Sequence, residues 1–522
     1  MNRDLSLGVD VGGTNTDAVV IDGAGQVLAS TKRATSDDVT GGIRAAIAAV
    51  LAQLGEERSR VSRVMLGTTH ATNAIVARRH LDRVAAIRLG APAATEYPPL
   101  LGWPQGLADL VLAGSAMVGG GHMVDGTPIA PLDRDGIRRF LDRTEGFDAV
   151  AVTGIFSPSS PEQELTVAEL VREHRGPGTR VFLSQDIGPT GLLERENATV
   201  LNAALYSVAR SVTEALVTVV AEEGIDAVTF FAQNDGTLMS LDYAAQYPVL
   251  TIGSGPANSI RGAAHLSGAE HAIVVDVGGT TSDLGVVVNG FPRESTLPRE
   301  IGGVRTNFRM PDILSLGIGG GTTVDPQTGA VGPGSVGHRI TTEALLFGGT
   351  TPTLTDAAAL AGAVIDGRSL PAQSRATSNL LKTALEEARQ QLEDAVERLS
   401  LGRADLPLVV VGGGGFLVPD DLPGAGPVLR PGHGDVANAV GAAISLAGGR
   451  ADQISSLEDR EAAVAQACEA AVAKAIHAGA DPLQVSVVDI LETPVTYTDR
   501  PTVKVSVKAA GPLARLGEKA GA

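Results

Sequence analysis

Val9-Asp10-Val11-Gly12-Gly13-Thr14-Asn15-Thr16-Asp17 returns 266 residues later as Val275-Asp276-Val277-Gly278-Gly279-Thr280-Thr281-Ser282-Asp283, with seven of nine positions identical. Each copy follows an apolar run (5–9 or 272–275) and leads into another (18–21 or 284–288). A Gly-containing turn comes next, Asp22-Gly23 or Asn289-Gly290. The pattern predicts strand, glycine turn, strand, tight turn, strand. Two such units predict a duplicated α/β fold, with two similar lobes facing each other and both glycine turns converging on one cleft.

The chemistry of the phrase suits a polyphosphate. Adjacent glycines reach backbone conformations closed to other residues and bring amide N–H groups close to a ligand. Successive amides in such a turn form an anion-binding concavity. The candidate phosphate-binding residues are Gly12, Gly13, Thr14 and Asn15 in one copy, and Gly278, Gly279, Thr280 and Thr281 in the other. Asp10 and Asp276 end buried strands and cannot bind phosphate directly. They are candidates to hold Mg²⁺ through water, since that ion prefers oxygen ligands and keeps much of its hydration. A plain hairpin turn would account for one copy; two copies with acidic residues in register argue for a site. Asp17 and Asp283 either join that site or cap their own turns.

Length and composition set the outer bounds. At 522 residues the chain is too long for one core, so two to four domains are expected. Apolar residues are 43% and aromatics only 3%, which makes the cores aliphatic. A net charge of −18 argues against nucleic acid as a partner, because binding a phosphate backbone needs a basic face. Cys468 is the only cysteine, so neither an intrachain disulfide nor a four-cysteine metal site is expected. No signal pattern opens the chain and no apolar run is long enough to span a bilayer, which predicts a cytoplasmic protein with no membrane partner. No lysine lies between Lys32 and Lys382, so the phosphate loop ending in Gly-Lys-Ser/Thr is absent. Backbone amides and metal must then carry most of the phosphate charge, and a central Schiff-base lysine is not expected.

Along the chain, residues 1–33 read as a three-strand meander and 40–54 as a helix with Ile43, Ile47, Val50, Leu51 and Leu54 on one face. A short strand at 64–66 enters the polar turn Gly67-Thr68-Thr69-His70-Ala71-Thr72-Asn73, which opens a helix with Thr68 or Thr69 available as its cap. Residues 82–150, rich in Pro and Gly, are read as a subdomain inserted in the first lobe. Strands at 149–152 and 180–184 alternate with a helix at 161–174, indicating mixed α/β layers. One long helix is expected over 194–223, a strand at 227–231, and a helix from Asn258 to Leu266 whose N-terminal amides could face an anion. The glycine-rich stretches 317–322 and 331–335 suggest loops lining a site. A helix over 375–400 precedes the buried strand 408–411, which ends in Gly412, Gly413, Gly414 and Gly415. A backbone without side chains lets a flat ring lie against it there, and adenine is the obvious candidate. Helices at 436–447 and 456–478 and paired strands over 485–508 close the chain. The domains expected are a first lobe over 1–193, a second over 194–450, and a small C-terminal α+β segment over 451–522.

This order of motifs resembles the actin-like (ribonuclease H-like) ATPase superfamily, two lobes around a nucleotide cleft. A closer resemblance runs from residue 5 to about 445. Residues 8–18, the stretch 67–74, Ser254-Gly255-Pro256-Ala257, Asp276 to Asp283 and Ser315 to Gly321 are similar to the signatures of the hydantoinase/oxoprolinase family, in particular its compact, N-methylhydantoinase A subunit-like branch. The resemblance implies ATP and Mg²⁺ as cofactors and an ATP-dependent amidohydrolase acting on a cyclic amide of the hydantoin or 5-oxoproline type. The γ-phosphoryl group of ATP would activate the amide carbonyl for ring opening. It implies catalytic roles for Asp10 and Asp276, the latter pair also holding the metal, with Thr68, Thr69, Thr72 and Asn73 on the substrate-side wall. His70 either acts as acid or base or simply hydrogen-bonds in its turn. An ATP-using subunit of an acetone-carboxylase-like enzyme and a small-molecule kinase of the same fold remain alternatives. A more distant reading is an ATP-driven reactivating factor, without the iron–sulfur cluster that a single cysteine rules out. A companion B-type subunit is expected, because the B-type region is absent from this sequence; self-association is left open.

Overall fold

Apolar run, glycine turn and apolar run fold as an antiparallel pair, β1 (Leu5–Val11) with β2 (Asn15–Ile21), and β3 (Val27–Ala34) follows across the tight turn. The computed structural model describes residues 5–13, 15–34, 39–188, 191–295, 298–307, 310–496, 498 and 500–514, so Thr14 lies outside the described residues. Helix α1 (Val39–Leu54) lays Ile43, Ile47, Val50 and Leu51 against this sheet, all fully buried. That is what its 3.6-residue spacing requires. Strand β4 (Val61–Thr68) then runs parallel to β1, and α2 (His70–Ala77) leaves its end.

The chain next builds a separate all-parallel sheet. Its elements are β5 (Val84–Ala91), α3 (Gln105–Val111), β6 (Leu112–Gly119), α4 (Arg134–Arg143), β7 (Ala149–Gly154), α5 (Glu162–Arg175) and β8 (Arg180–Leu183), in the strand order β6-β5-β7-β8. Helices α6 (Ser184–Ile187), α7 (Leu192–Ala204) and α8 (Tyr206–Glu222) return it to β9 (Val228–Ala232), parallel to β4, and to β10 (Leu238–Ser240).

Helices α9 (Leu241–Gln246) and α10 (Ser254–Ser267) lead into the second lobe. There β11 (Ala272–Val277), β12 (Ser282–Val288) and β13 (Phe291–Pro292) form the second meander. A β14 (Arg299–Ile301)–β15 (Val304–Thr306) hairpin, β16 (Leu314–Leu316) on β12, and a β17 (Thr322–Val324)–β18 (Val331–Ser335) hairpin come next. Helices α11 (Ile340–Glu343), α12 (Leu354–Leu360) and α13 (Arg375–Ser400) precede β19 (Leu408–Val411), which lies parallel to β11, and β20 (Val428–Leu429). Helix α14 (Ala437–Ile444) crosses back. Strand β21 (Ala447–Ser456), α15 (Arg460–His477), β22 (Ser486–Val495) and β23 (Thr502–Gly511) finish the chain.

The first lobe contains the order β3-β2-β1-β4-β9, and the second repeats it as β13-β12-β11-β19-β20. One antiparallel meander followed by two parallel strands, made twice, is the duplicated ribonuclease H-like, actin-like fold. The lobes meet through α10, packed on the second sheet, and α14, packed on the first. The crossing is tight: a Cβ on Gly441 would lie 1.8 Å from the Asn258 carbonyl oxygen, and one on Gly262 1.9 Å from that of Ala437.

Strand pairing divides the chain differently from the sequence reading. The inserted sheet does not end near 150; β7 and β8 carry it to Leu183. Strands β9 and β10 fall inside the expected second lobe yet pair in the first sheet, because its fifth strand arrives only after the insertion. The C-terminal strands extend that same sheet to nine members, in the order β22-β23-β21-β10-β9-β4-β1-β2-β3. The single helix expected over 194–223 is two, bent by 49°. Asn202 pins the end of α7, donating to the Gln246 carbonyl at 3.0 Å and accepting from Val249 N–H at 3.2 Å, while α8 turns away to pack on α1. Among the described residues no single helix is long and apolar enough to cross a membrane.

Candidate functional site

The two glycine turns close in the same way. Gly12 N–H donates to the Asn15 carbonyl at 2.9 Å, and Gly278 N–H to the Thr281 carbonyl at 2.9 Å. Register carries the likeness further: Asp10 lies opposite Asp17 on β1–β2, and Asp276 opposite Asp283 on β11–β12. Each inner carboxylate rests against a glycine at the end of the next parallel strand. A Cβ on Gly67, near the end of β4, would stand 2.3 Å from Asp10 Oδ1. A Cβ on Gly412, after β19 and at φ +83°, would stand 2.3 Å from Asp276 Oδ1. Any side chain at either glycine would push its carboxylate aside.

Both turns open on one cleft of about 640 Å³ between the lobes. Of the residues expected on phosphate and purine, Gly12, Gly13, Asn15, Gly278, Gly279, Thr280, Thr281, Gly412, Gly413 and Gly414 all line it, with Asp10 and Asp276 at its floor. Gly255 and Pro256 of α10 line it too; the helix starts at Ser254, four residues before the sequence reading placed it. At the Gly412–Gly414 end the wall turns apolar, with Ile340, Phe347, Ile365 and Phe416. The run 317–321 mainly braces the second turn from outside, Gly320 N–H donating to the Gly278 carbonyl at 3.0 Å and Gly321 N–H to that of Gly279 at 2.7 Å. Only its Gly320 lines the cleft.

The expected substrate-side residues separate. Thr69 lines the cleft, with its N–H and its hydroxyl each 3.2 Å from the Val11 carbonyl, to which both donate. Thr68 and His70 are paired, Oγ1 to Nδ1, at 2.6 Å. They face a small apolar void walled by Val208, Val212 and Phe231 rather than the cleft. Burial there holds the imidazole below its ordinary pKa. Thr72 and Asn73 are not on the cleft wall, and Asn73 Nδ2 donates to Thr69 Oγ1 at 3.2 Å.

Electrostatics mark the cleft floor. Asp10 is 3% exposed, and burial first, then the nearby Asp17, pushes its carboxyl up to about 7. Asn438 of α14 donates to its Oδ2 at 3.3 Å, while Oδ1 is buried with no partner among the described residues. Asp276 is raised by burial against the pull of Ser259, whose hydroxyl donates to its Oδ2 at 2.7 Å. Asp17 and Asp283 do not cap their turns, which the backbone closes. Asp17 takes Lys32 Nζ at 2.7 Å, and Asp283 takes the Ser315 hydroxyl at 2.5 Å. Lys32, Asn438 and the apolar wall escaped the sequence reading, since nothing local marks them.

Six carboxylates line the cleft (Asp10, Asp17, Asp276, Asp283, Asp366 and Asp435) against one lysine, Lys32. Carboxylates in such numbers oppose a bare polyanion and favour one that brings a cation. Among the described residues no three His, Cys, Asp or Glu side chains cluster to chelate a metal directly. The partnerless Asp10 Oδ1 and the carboxylate donor set fit a divalent ion that keeps its water.

A duplicated sheet closing on an acidic, amide-lined cleft places the protein in the actin-like, two-lobed class. The chain belongs to the hydantoinase/oxoprolinase family: residues 6–175 match the hydantoinase/oxoprolinase N-terminal region and residues 195–406 match hydantoinase/oxoprolinase. It is 28% identical over 433 residues to the caprolactamase subunit alpha of Pseudomonas jessenii, a stretch covering 76% of this chain and 60% of that one. It is 28% identical over 253 residues to the acetophenone carboxylase gamma subunit of Aromatoleum aromaticum, covering 45% of this chain and 34% of that one. The chain thus spans roughly half the length of these relatives. The crystal structure of the ATP-dependent caprolactamase from P. jessenii superposes with a TM-score of 0.78 at 20% identity, covering 99% of this chain and 90% of that one, which shows a shared fold.

Proposed function

We propose that this chain is the ATP-using subunit of an amidohydrolase that phosphorylates a cyclic amide and so activates it for ring opening. The observation that supports this most directly is the pair of matched turns facing one cleft, each backed by a carboxylate. The triphosphate would lie between the turns that Gly12 and Gly278 close, on the amides of Gly13 and Gly279, with Asn15, Thr280 and Thr281 as neutral donors. Adenine lies on Gly412–Gly414 against Phe416. Asp10 and Asp276 are the residues that would hold Mg²⁺, which would supply charge neutralisation for the transferring phosphoryl group. Ser259 and Asn438 fix the two carboxylates.

An amide carbonyl is a poor electrophile and its ring nitrogen a poor leaving group. Transfer of the γ-phosphoryl group to the carbonyl oxygen gives ADP and an imidate phosphate. Water adds to its carbon, the ring C–N bond breaks with the nitrogen leaving as the protonated amine to give an acyl phosphate, and a second water hydrolyses that to the carboxylate and phosphate. In the first step the protein positions groups and stabilises charge. Asp10, titrating near neutrality, orients the attacking oxygen. Thr69 forms the acceptor-side wall, and His70 keeps a hydrogen-bonding role in the β4–α2 turn. The relatives bear subunit names, alpha and gamma, which supports a companion subunit for the hydrolytic half.

A second reading has the same first step on a different oxygen, the enol oxygen of a ketone, for carboxylation. The similarity to acetophenone carboxylase favours it. ADP release measured over hydantoin, 5-oxoproline, caprolactam and ketone-plus-bicarbonate separates the two. Ring-amide stimulation with a ring-opened product in the presence of a companion subunit is the expected result. Stimulation by ketone and bicarbonate alone would replace the first reading with the second, and ring opening by the purified chain alone would remove the companion.

A further inference from the structure

Residues directly opposite on neighbouring strands put their side chains on the same sheet face. In the first lobe that register sets Asp10 of β1, Asp17 of β2 and Lys32 of β3 in one row on the cleft. In the second lobe it sets Asp276 of β11, Asp283 of β12 and Ser315 of β16 in the matching row. The duplication breaks at the third place, a lysine on one side and a serine on the other. Lys32 Nζ donates to both oxygens of Asp17, at 2.8 and 2.7 Å. Ser315 gives Asp283 a neutral hydroxyl and brings no charge of its own.

The consequence is a charge balance. Among the described residues that line the cleft Lys32 is the only basic side chain, and Asp17 already holds it. Asp10, Asp276, Asp283, Asp366 and Asp435 line the same cleft. Magnesium and backbone amides answer the triphosphate in the reading above, which leaves no side-chain cation of that lining for a further anion. Were the ammonium to turn to the triphosphate instead, it would be no freer for the acceptor, and Asp17 would become one more bare carboxylate. The N-terminus of α10 also lines the cleft, but Pro256 has no N–H to give, and a helix end carries only about half a charge.

An uncharged ring amide meets no like charge there, whereas one bearing a carboxylate brings a negative charge among carboxylates. We infer that the phosphoryl acceptor is an uncharged ring amide, and that Asp17, by holding Lys32, is the residue that turns away a ring amide carrying a carboxylate. This rests on the cyclic-amide reading of the cleft and narrows its substrate class. Asp17 is a positioning residue here, acting through the ammonium it holds.

Pyrrolidin-2-one and 5-oxoproline test it, being the same ring without and with one carboxylate, which is ionised at neutral pH. The readout is kcat/KM for ADP release from MgATP by the full chain in the presence of the companion subunit. A value at least roughly tenfold higher for pyrrolidin-2-one is expected, the scale of one unanswered charge. Asp17→Asn should narrow that ratio several-fold, and adding Lys32→Met to it should restore the ratio, because the freed ammonium is then gone. Both rings are read on one sample, so a general loss of activity cancels. Equal use of the two rings by wild type, or a preference for 5-oxoproline, overturns the inference and leaves the cyclic-amide reading standing; that comparison needs no variant. An unchanged ratio in Asp17→Asn overturns the role of Asp17. No ADP release with either ring removes the cyclic-amide reading, and this inference with it.

Discussion

Asp10 and Asp276 hold matching places on two sheets, yet their surroundings differ. Asp276 has the Ser259 hydroxyl on one oxygen, whereas Asp10 has a long bond from Asn438 and a bare, buried Oδ1. Asn258, with both amide atoms buried and unpartnered, crowds the same point at Gly67 from α10. Asp10→Asn and Asp276→Asn should each lower substrate-stimulated ADP release by about a hundredfold or more, the scale of a lost charge-positioning group; activity within a few-fold of wild type would remove that carboxylate from the site. The same substitution has an opposite effect on stability. Burial raises the Asp10 carboxyl from its ordinary 3.8 to about 7, so the folded state binds this proton more tightly than the unfolded one. The stabilisation is complete below the ordinary value and is lost as pH rises through about 7. Asp17, Asp276 and Asp283 are shifted in the same direction, chiefly by burial. Asp10→Asn should therefore gain stability over wild type between about pH 5 and about pH 8, by a few kcal/mol at most, read from urea midpoints at each pH. A variant whose advantage shrinks as pH rises would contradict the shift.

The α10–α14 crossing is where one lobe feels the other. It carries Asn258 and Ser259 from one helix and Asn438 from the other to the two carboxylates. Gly441→Ala would place a Cβ 1.8 Å from a backbone carbonyl that has no room to yield. It should destabilise by about 1–3 kcal/mol or more and slow ADP release, because the helices must part and take the three polar side chains with them. A chain with an unchanged urea midpoint would show the crossing to be looser than this. Elements with a strong local period were legible in the sequence: the first meander, α1, and α13, which forms over 375–400 as expected. So were the two turns, whose chemistry lies within nine contiguous residues. What could not be read depends on distant chain. The 49° bend after α7 has no Pro or Gly to announce it and follows from what Asn202 grips. The place of β9 in the first sheet is set by an insertion whose end carries no signal. Lys32 reaches the cleft only because β3 pairs beside Asp17, and Asn438 because α14 crosses back.

At the scale of the molecule, the two lobes meet at the α10–α14 crossing and face each other across one cleft. The cleft between them is lined by six carboxylates and one lysine, so a free triphosphate meets repulsion, whereas the magnesium complex brings its own neutralisation. A ligand that binds only the folded state stabilises it by about 2.7 kcal/mol at a hundredfold excess over Kd. A ligand held by both turns would carry that stabilisation to both lobes together. Scanning calorimetry should then show MgATP raising the unfolding of the whole chain, with any separate lobe transitions drawn into one, and ATP with chelator doing much less. Amide hydrogen exchange at Gly13 should slow alongside that at Gly279, the Gly12 and Gly278 amides being already bonded within their turns. Protection of one turn without the other would mean that the ligand sits on a single lobe, and equal stabilisation by ATP with and without magnesium would mean that the acidic floor plays no part in holding it.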